Sequence, residues 1–84
     1  MRLVDWRLSR KLSAAEAARF FGIGGVNPGR TLARIEAGER QPDADMIERI
    51  CLLTDGLVSP HDMHATRLDW LKANRPEKFI EAAE

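Results

Sequence analysis

The stretch Asn27 to Gly38, reading NPGRTLARIEAG, constrains this chain more than any other. Asn27 can accept a hydrogen bond from the first free backbone N–H groups of a helix. Pro28 suits the first helical position, where its missing donor is not needed, and Gly38 can take the left-handed conformation that stops a helix. The pattern predicts a helix from Pro28 to Ala37. At roughly 100° per residue, Arg30, Ala33, Arg34 and Ala37 share one face, while Leu32 and Ile35 lie opposite with Glu36 beside them. Two aliphatic anchors would seat this helix on a core, leaving two guanidiniums to project between small residues.

The remaining segments also read as helices. Arg2 to Arg10 predicts a first helix with Leu3 and Trp6 inward and Arg7 next to them. Ser13-Ala14-Ala15-Glu16 is a capping-box sequence, in which serine and glutamate each satisfy the other's backbone N–H. Leu12 precedes it as an apolar staple. The box opens a second helix, Ala14 to Phe21, whose Ala14, Ala17, Ala18 and Phe21 share a side. Alanines there allow another helix to approach closely, and Phe20 and Phe21 supply bulk for the core. GIGGVN, residues 22–27, permits a chain reversal, with Ile23 and Val26 as expected anchors. A phosphate-cradling role for Gly24-Gly25 lacks both the lysine and the preceding strand that such loops need.

A fourth helix is expected from Asp43 or Ala44 to near Thr54, with Met46, Ile47, Ile50, Cys51 and Leu53 as its core face. Asp55-Gly56 ends it, and Leu57 and Val58 are expected to turn inward. Ser59-Pro60 starts a fifth helix, Pro60 to Asn74, carrying a stripe of Met63, Leu68, Trp70 and Leu71. Part of that stripe would cover the core, and the rest is the expected interface with a second copy of the chain. The expected fold is therefore all-α, a compact bundle of five helices. Residues 76–84 read as a short acidic tail whose Phe79 and Ile80 could dock.

Composition narrows the function. Eighty-four residues give one domain with a modest core. No apolar run approaches the roughly 18 residues that span a bilayer, and MRLVDWRLSRKL lacks the apolar block of a signal peptide. A cytoplasmic protein without a membrane partner is expected. Cys51 is the single cysteine, which excludes an internal disulfide and a cysteine-based zinc cage. His61 and His64 have no further ligands at metal spacing, so neither metal nor cofactor is expected. Ser9, Ser13 and Ser59 have cap or turn positions, and no nucleophile, base and orienting group assemble, so no enzyme is expected. The formal net charge is zero, yet residues 1–40 carry eight basic against four acidic side chains and residues 41–84 carry five against nine. A basic face backed by an acidic one fits this split, and so does an ordinary mixed surface.

The order of capping-box helix, glycine turn, helix ending in Arg34-Ile35-Glu36-Ala37-Gly38 and proline-ended turn at Pro42 resembles the Cro and phage-repressor (XRE) type of helix-turn-helix. Leu3, Trp6, Arg7, Leu12, Ser13, Ala17, Phe21-Gly22-Ile23 and Thr31-Leu32-Ala33 also carry the resemblance, over about residues 2–58. It departs from the family in the longer turn after Ile23 and in Ala14, where relatives often have glutamine. The resemblance implies a lambda-repressor-like domain over residues 1–75, with the helix-turn-helix unit at about 13–37. It also implies a bacterial or phage-type transcription regulator, most simply a repressor, associated with the nucleoid and binding double-stranded DNA as a homodimer.

In such proteins the third helix enters the major groove. Carried over residue by residue, Gly29, Arg30, Thr31 and Arg34 are expected at bases, and Ser13, Asn27, Arg40, Arg19 and Lys11 at phosphates. Arg7 and Glu36 are expected as a structural ion pair. The rival expectation is a protein-interaction module on the same scaffold, an antitoxin or adaptor gripping a partner protein, which the neutral charge and acidic second half favour.

Overall fold

The computed structural model describes residues 1–77 and contains five helices in the order α1 (Leu3–Ser9), α2 (Ala14–Phe20), α3 (Pro28–Ala37), α4 (Ala44–Leu53) and α5 (Pro60–Asn74), with no strand among the described residues. Caps set most of these boundaries. The Ser13 hydroxyl accepts from Glu16 N–H at 3.1 Å, while the Glu16 carboxylate accepts from Ser13 N–H at 3.0 Å. Asn27 and Asp43 cap α3 and α4 in the same way, by accepting from Arg30 N–H at 3.1 Å and Met46 N–H at 2.8 Å. Arg2, Arg10 and Phe21, expected inside helices, are cap residues instead, because each sits where the chain turns away.

One core joins all five helices: Leu3 and Trp6 of α1, Ala17 and Ala18 of α2, Leu32 and Ile35 of α3, Ile50 of α4 and Met63 of α5, with Phe21, Ile23 and Val58 from the links. Trp6 lies 5.9 Å from Phe20 and 5.4 Å from Phe21, ring centre to ring centre. Such pairs add about 0.5–1.5 kcal/mol each beyond the area they bury. Thr54, also buried, closes the α4 end: its hydroxyl donates to Ile50 O at 2.8 Å and accepts from Val58 N–H at 3.2 Å.

Several expected core positions face solvent. Val26 is fully exposed because the turn needs only Ile23 to hold it, and Leu53 and Leu57 flank the α4 end without entering the interior. Phe20 covers Trp6 with one face and leaves 49% of its surface exposed. The opposite correction applies to Met63, which is only 7% exposed and is core rather than interface. Leu68, Trp70 and Leu71 are half-buried. The expected docking of Phe79 and Ile80 lies outside the described residues.

α3 meets α5 at a glycine. Gly38 has φ +86°, and a Cβ there would run into the Thr66 carbonyl and stand 2.9 Å from Trp70 Cβ. Arg67 of α5 completes the junction, donating to Gly38 O at 2.8 Å and Glu39 O at 2.7 Å, with its guanidinium 5.0 Å from the Trp70 ring. A cation is favoured there because the C-terminal carbonyls of α3 carry partial negative charge. At the other end of α5, Asp62 Oδ2 accepts from Ser59 N–H, Ser59 Oγ–H and the Met1 ammonium, each at 2.9 Å. The Ser59 backbone bond, then the ammonium, lower the Asp62 pKa to about 2.

Two tests follow from these contacts. Gly38→Ala should lose about 2–4 kcal/mol in urea unfolding, from left-handed strain of about 1–2 kcal/mol plus the clash. Gly56, φ +78° with open space around it, should lose the strain alone on Gly56→Ala; equal losses would remove the steric role of the α3–α5 contact. Because Asp62 titrates lower when folded, its contribution is complete above the ordinary value of 3.8 and disappears as pH falls toward 2. Asp62→Asn should therefore flatten acid destabilisation in that window, read by thermal melts at stepped pH.

Candidate nucleic-acid interface

The outward face of α3 is made of Arg30, Ala33, Arg34 and Ala37, all exposed, and Leu32 and Ile35 are buried beneath them. Neither arginine side chain makes a hydrogen bond or ion pair among the described residues. Both guanidiniums therefore keep their donors available.

Three contacts hold this face in place. On one flank, α3 lies directly on α2: a Cβ at Gly29 would stand 3.2 Å from Ala15 N and 3.3 Å from Ala15 Cα. Gly29 thus has a packing reason to be glycine, independent of any base contact. On the same flank, Arg7 Nε donates to Glu36 Oε2 at 2.6 Å and Nη2 to Oε1 at 3.2 Å, a two-pronged pair. The Arg7 side chain is 17% exposed and that of Glu36 7%. The bond to Glu36 raises the Arg7 pKa further above its ordinary value. Arg7 Nη1 also donates to Leu12 O at 3.1 Å, so one guanidinium ties α1, the α1–α2 link and α3. The α3–α5 junction at Gly38 is the third contact.

The other expected residues are dispersed around this face. Thr31 is half-buried beside a hollow that it shares with Gly24, Gly25, Arg40 and Pro42, and its hydroxyl donates to Asn27 O at 3.3 Å. Asn27 remains exposed while its Oδ1 caps the helix. Arg40 is exposed, and its backbone N–H bonds Arg34 O at 3.2 Å, which fixes it one turn beyond the helix. Arg19 and Lys11 are exposed, Lys11 with φ 57° where α1 ends.

Ser13 is less available than the sequence implies. Its N–H and that of Glu16 are already used, and the Ser13 backbone bond holds the Glu16 carboxyl below its usual range. An ionised carboxylate beside the first turn of α2 opposes a second anion there.

Arg67 carries no signal in the sequence, although it orients the end of α3. Its contacts reach across 28 and 29 residues, and no local pattern announces them. His61 and His64 are both exposed, and no cluster of three metal-ligating side chains occurs among the described residues.

Glu36→Ala would strand a largely covered guanidinium, and the expected loss is about 3 kcal/mol, the low end for breaking a buried pair. In urea titrations, combining it with Arg7→Ala should cost less than the two single losses summed. Strict additivity would mean that the two charges act independently. The chain matches no family model, no curated protein and no solved structure.

Proposed function

We propose that this chain is a DNA-binding regulator of the Cro and phage-repressor type, reading duplex DNA with α3 in the major groove. The observation that carries the proposal is the α3 face: two unpaired arginines flanked by alanines, on a helix fixed along one flank and at its C-terminus. The major groove admits a helix, and a slim alanine surface lets the backbone approach while the arginines reach base edges. An arginine fork can donate both bonds to guanine O6 and N7. Arg40, with Asn27, Arg19 and Lys11 farther out, supplies phosphate contacts that set register without reading sequence.

The functional unit in this reading is a homodimer at the nucleoid. One recognition helix reads too few base pairs to define a genomic site, and two half-sites about 34 Å apart double the information. Repression is the simplest outcome, through occupation of a promoter.

A second reading draws on a separate surface. Phe20, Leu52, Leu53 and Leu57 are exposed, and a groove of about 390 Å³ runs between Trp6, Leu12, Phe20 and Leu53, with Arg10 and Asp55 also in its wall. An apolar surface of that kind suits a partner protein, and in this reading the scaffold is an adaptor or antitoxin.

The experiment is selection of bound duplexes from a random pool, followed by titration of the winner and a scrambled control over a salt series. DNA binding should weaken steeply with salt, whereas an apolar protein interface should hardly respond. Arg34→Ala should lose about 1–3 kcal/mol of discrimination, roughly 5- to 150-fold, with an unchanged urea midpoint. Unaltered selectivity in that variant would remove Arg34 from base reading, and failure to enrich any sequence would favour the protein partner.

A further inference from the structure

Behind α3, between its C-terminus, the loop to α4 and the first half of α5, lies a recess of about 160 Å³. Arg40, Arg67 and His64 line it together with Ile35, Ile47 and Met63, and no carboxylate contributes to its wall. The Arg40 and His64 side chains have no hydrogen-bond partner among the described residues, and Arg67 donates only through Nη1, to the Gly38 and Glu39 carbonyls. Asp43, beyond Arg40 in the adjoining hollow, uses its Oδ1 to cap α4. Three basic side chains thus border a hollow with an apolar floor and no acid in its wall.

We propose that this recess binds a small organic anion, a monocarboxylate with an apolar body. Size follows from volume: a closed apolar cavity of about 150 Å³ accommodates benzene, so the body has about six carbons. Charge follows from the wall. A carboxylate accepts from Arg40 and from the unused edge of Arg67, where bonds between two charged groups are about twice as strong as neutral ones. The hydrocarbon part then covers Ile35, Ile47 and Met63. The site stands whether or not α3 reads DNA, because none of its groups requires nucleic acid.

The test titrates the full chain with benzoate, with benzamide as an uncharged isostere and sodium chloride matched for ionic strength, and follows backbone, methyl and arginine Nε–H signals by NMR. Benzoate should give saturable shifts at the Ile35, Ile47 and Met63 methyls and at Arg67 Nε–H, with at least tenfold tighter binding than benzamide. Arg40→Gln replaces an exposed side chain without touching the core, and should weaken benzoate at least tenfold while leaving the weak benzamide response unchanged. Shifts that stay linear with concentration, equal affinity for the two probes, or an unchanged benzoate affinity in Arg40→Gln would each overturn the proposal.

Discussion

The Arg7–Glu36 pair is the constraint from which the rest of the arrangement follows. Neither charge could sit so far out of water alone, since an unpaired ion in a poorly solvated place costs several kcal/mol. Meeting obliges α1 to lie across α3 at one height and rotation. Arg7 also holds the Leu12 carbonyl, so the start of α2 is located relative to the same guanidinium. Ala17 and Ala18 then bring α2 close, and Gly29 takes up the remaining space against Ala15. The apolar core supplies most of the stability and tolerates sliding. The ion pair supplies direction.

Helix positions were legible because caps are local. Ser13 with Glu16, Asn27 with Pro28, and Ser59 with Pro60 each solve the problem of unbonded N–H groups within four residues, and the observed starts of α2, α3 and α5 coincide with them. Burial at the edges of helices was less legible. Leu53 and Leu57 are as apolar as Ile50 and Val58, yet only the latter pair points into the bundle: Leu53 lies on the outer side of the last turn of α4, and Leu57 follows the left-handed turn at Asp55 and Gly56. Contacts between distant segments, such as Arg2 with Thr66 and Asp69 or Arg67 with the end of α3, leave no periodic trace. The outward pair Arg30 and Arg34 was readable because the α3 wheel places Leu32 and Ile35 opposite them.

The charge arithmetic takes on a different meaning in three dimensions. Of the eight basic residues before position 41, Arg2 and Arg7 are committed to ion pairs, and Arg10 lies 5.6 Å from the Trp6 ring centre. Of the remaining five, Arg30, Arg34 and Arg40 lie on α3 or just beyond it, and Lys11 and Arg19 are exposed farther out. A short list of cations at fixed spacing favours orientation over bulk attraction.

The link between α2 and α3 has an architectural consequence. Its buried residues are Phe21 and Ile23 at the start, while Gly24, Gly25, Val26 and Asn27 all face solvent, and the crossing of the two helices is set elsewhere, where Gly29 meets Ala15. Loop length is thereby uncoupled from helix geometry. Closing a somewhat longer flexible loop adds only about 0.6 kcal/mol per doubling. The segment is accordingly a natural place to graft a foreign peptide or a fluorophore tag, displayed beside the arginine face without moving it.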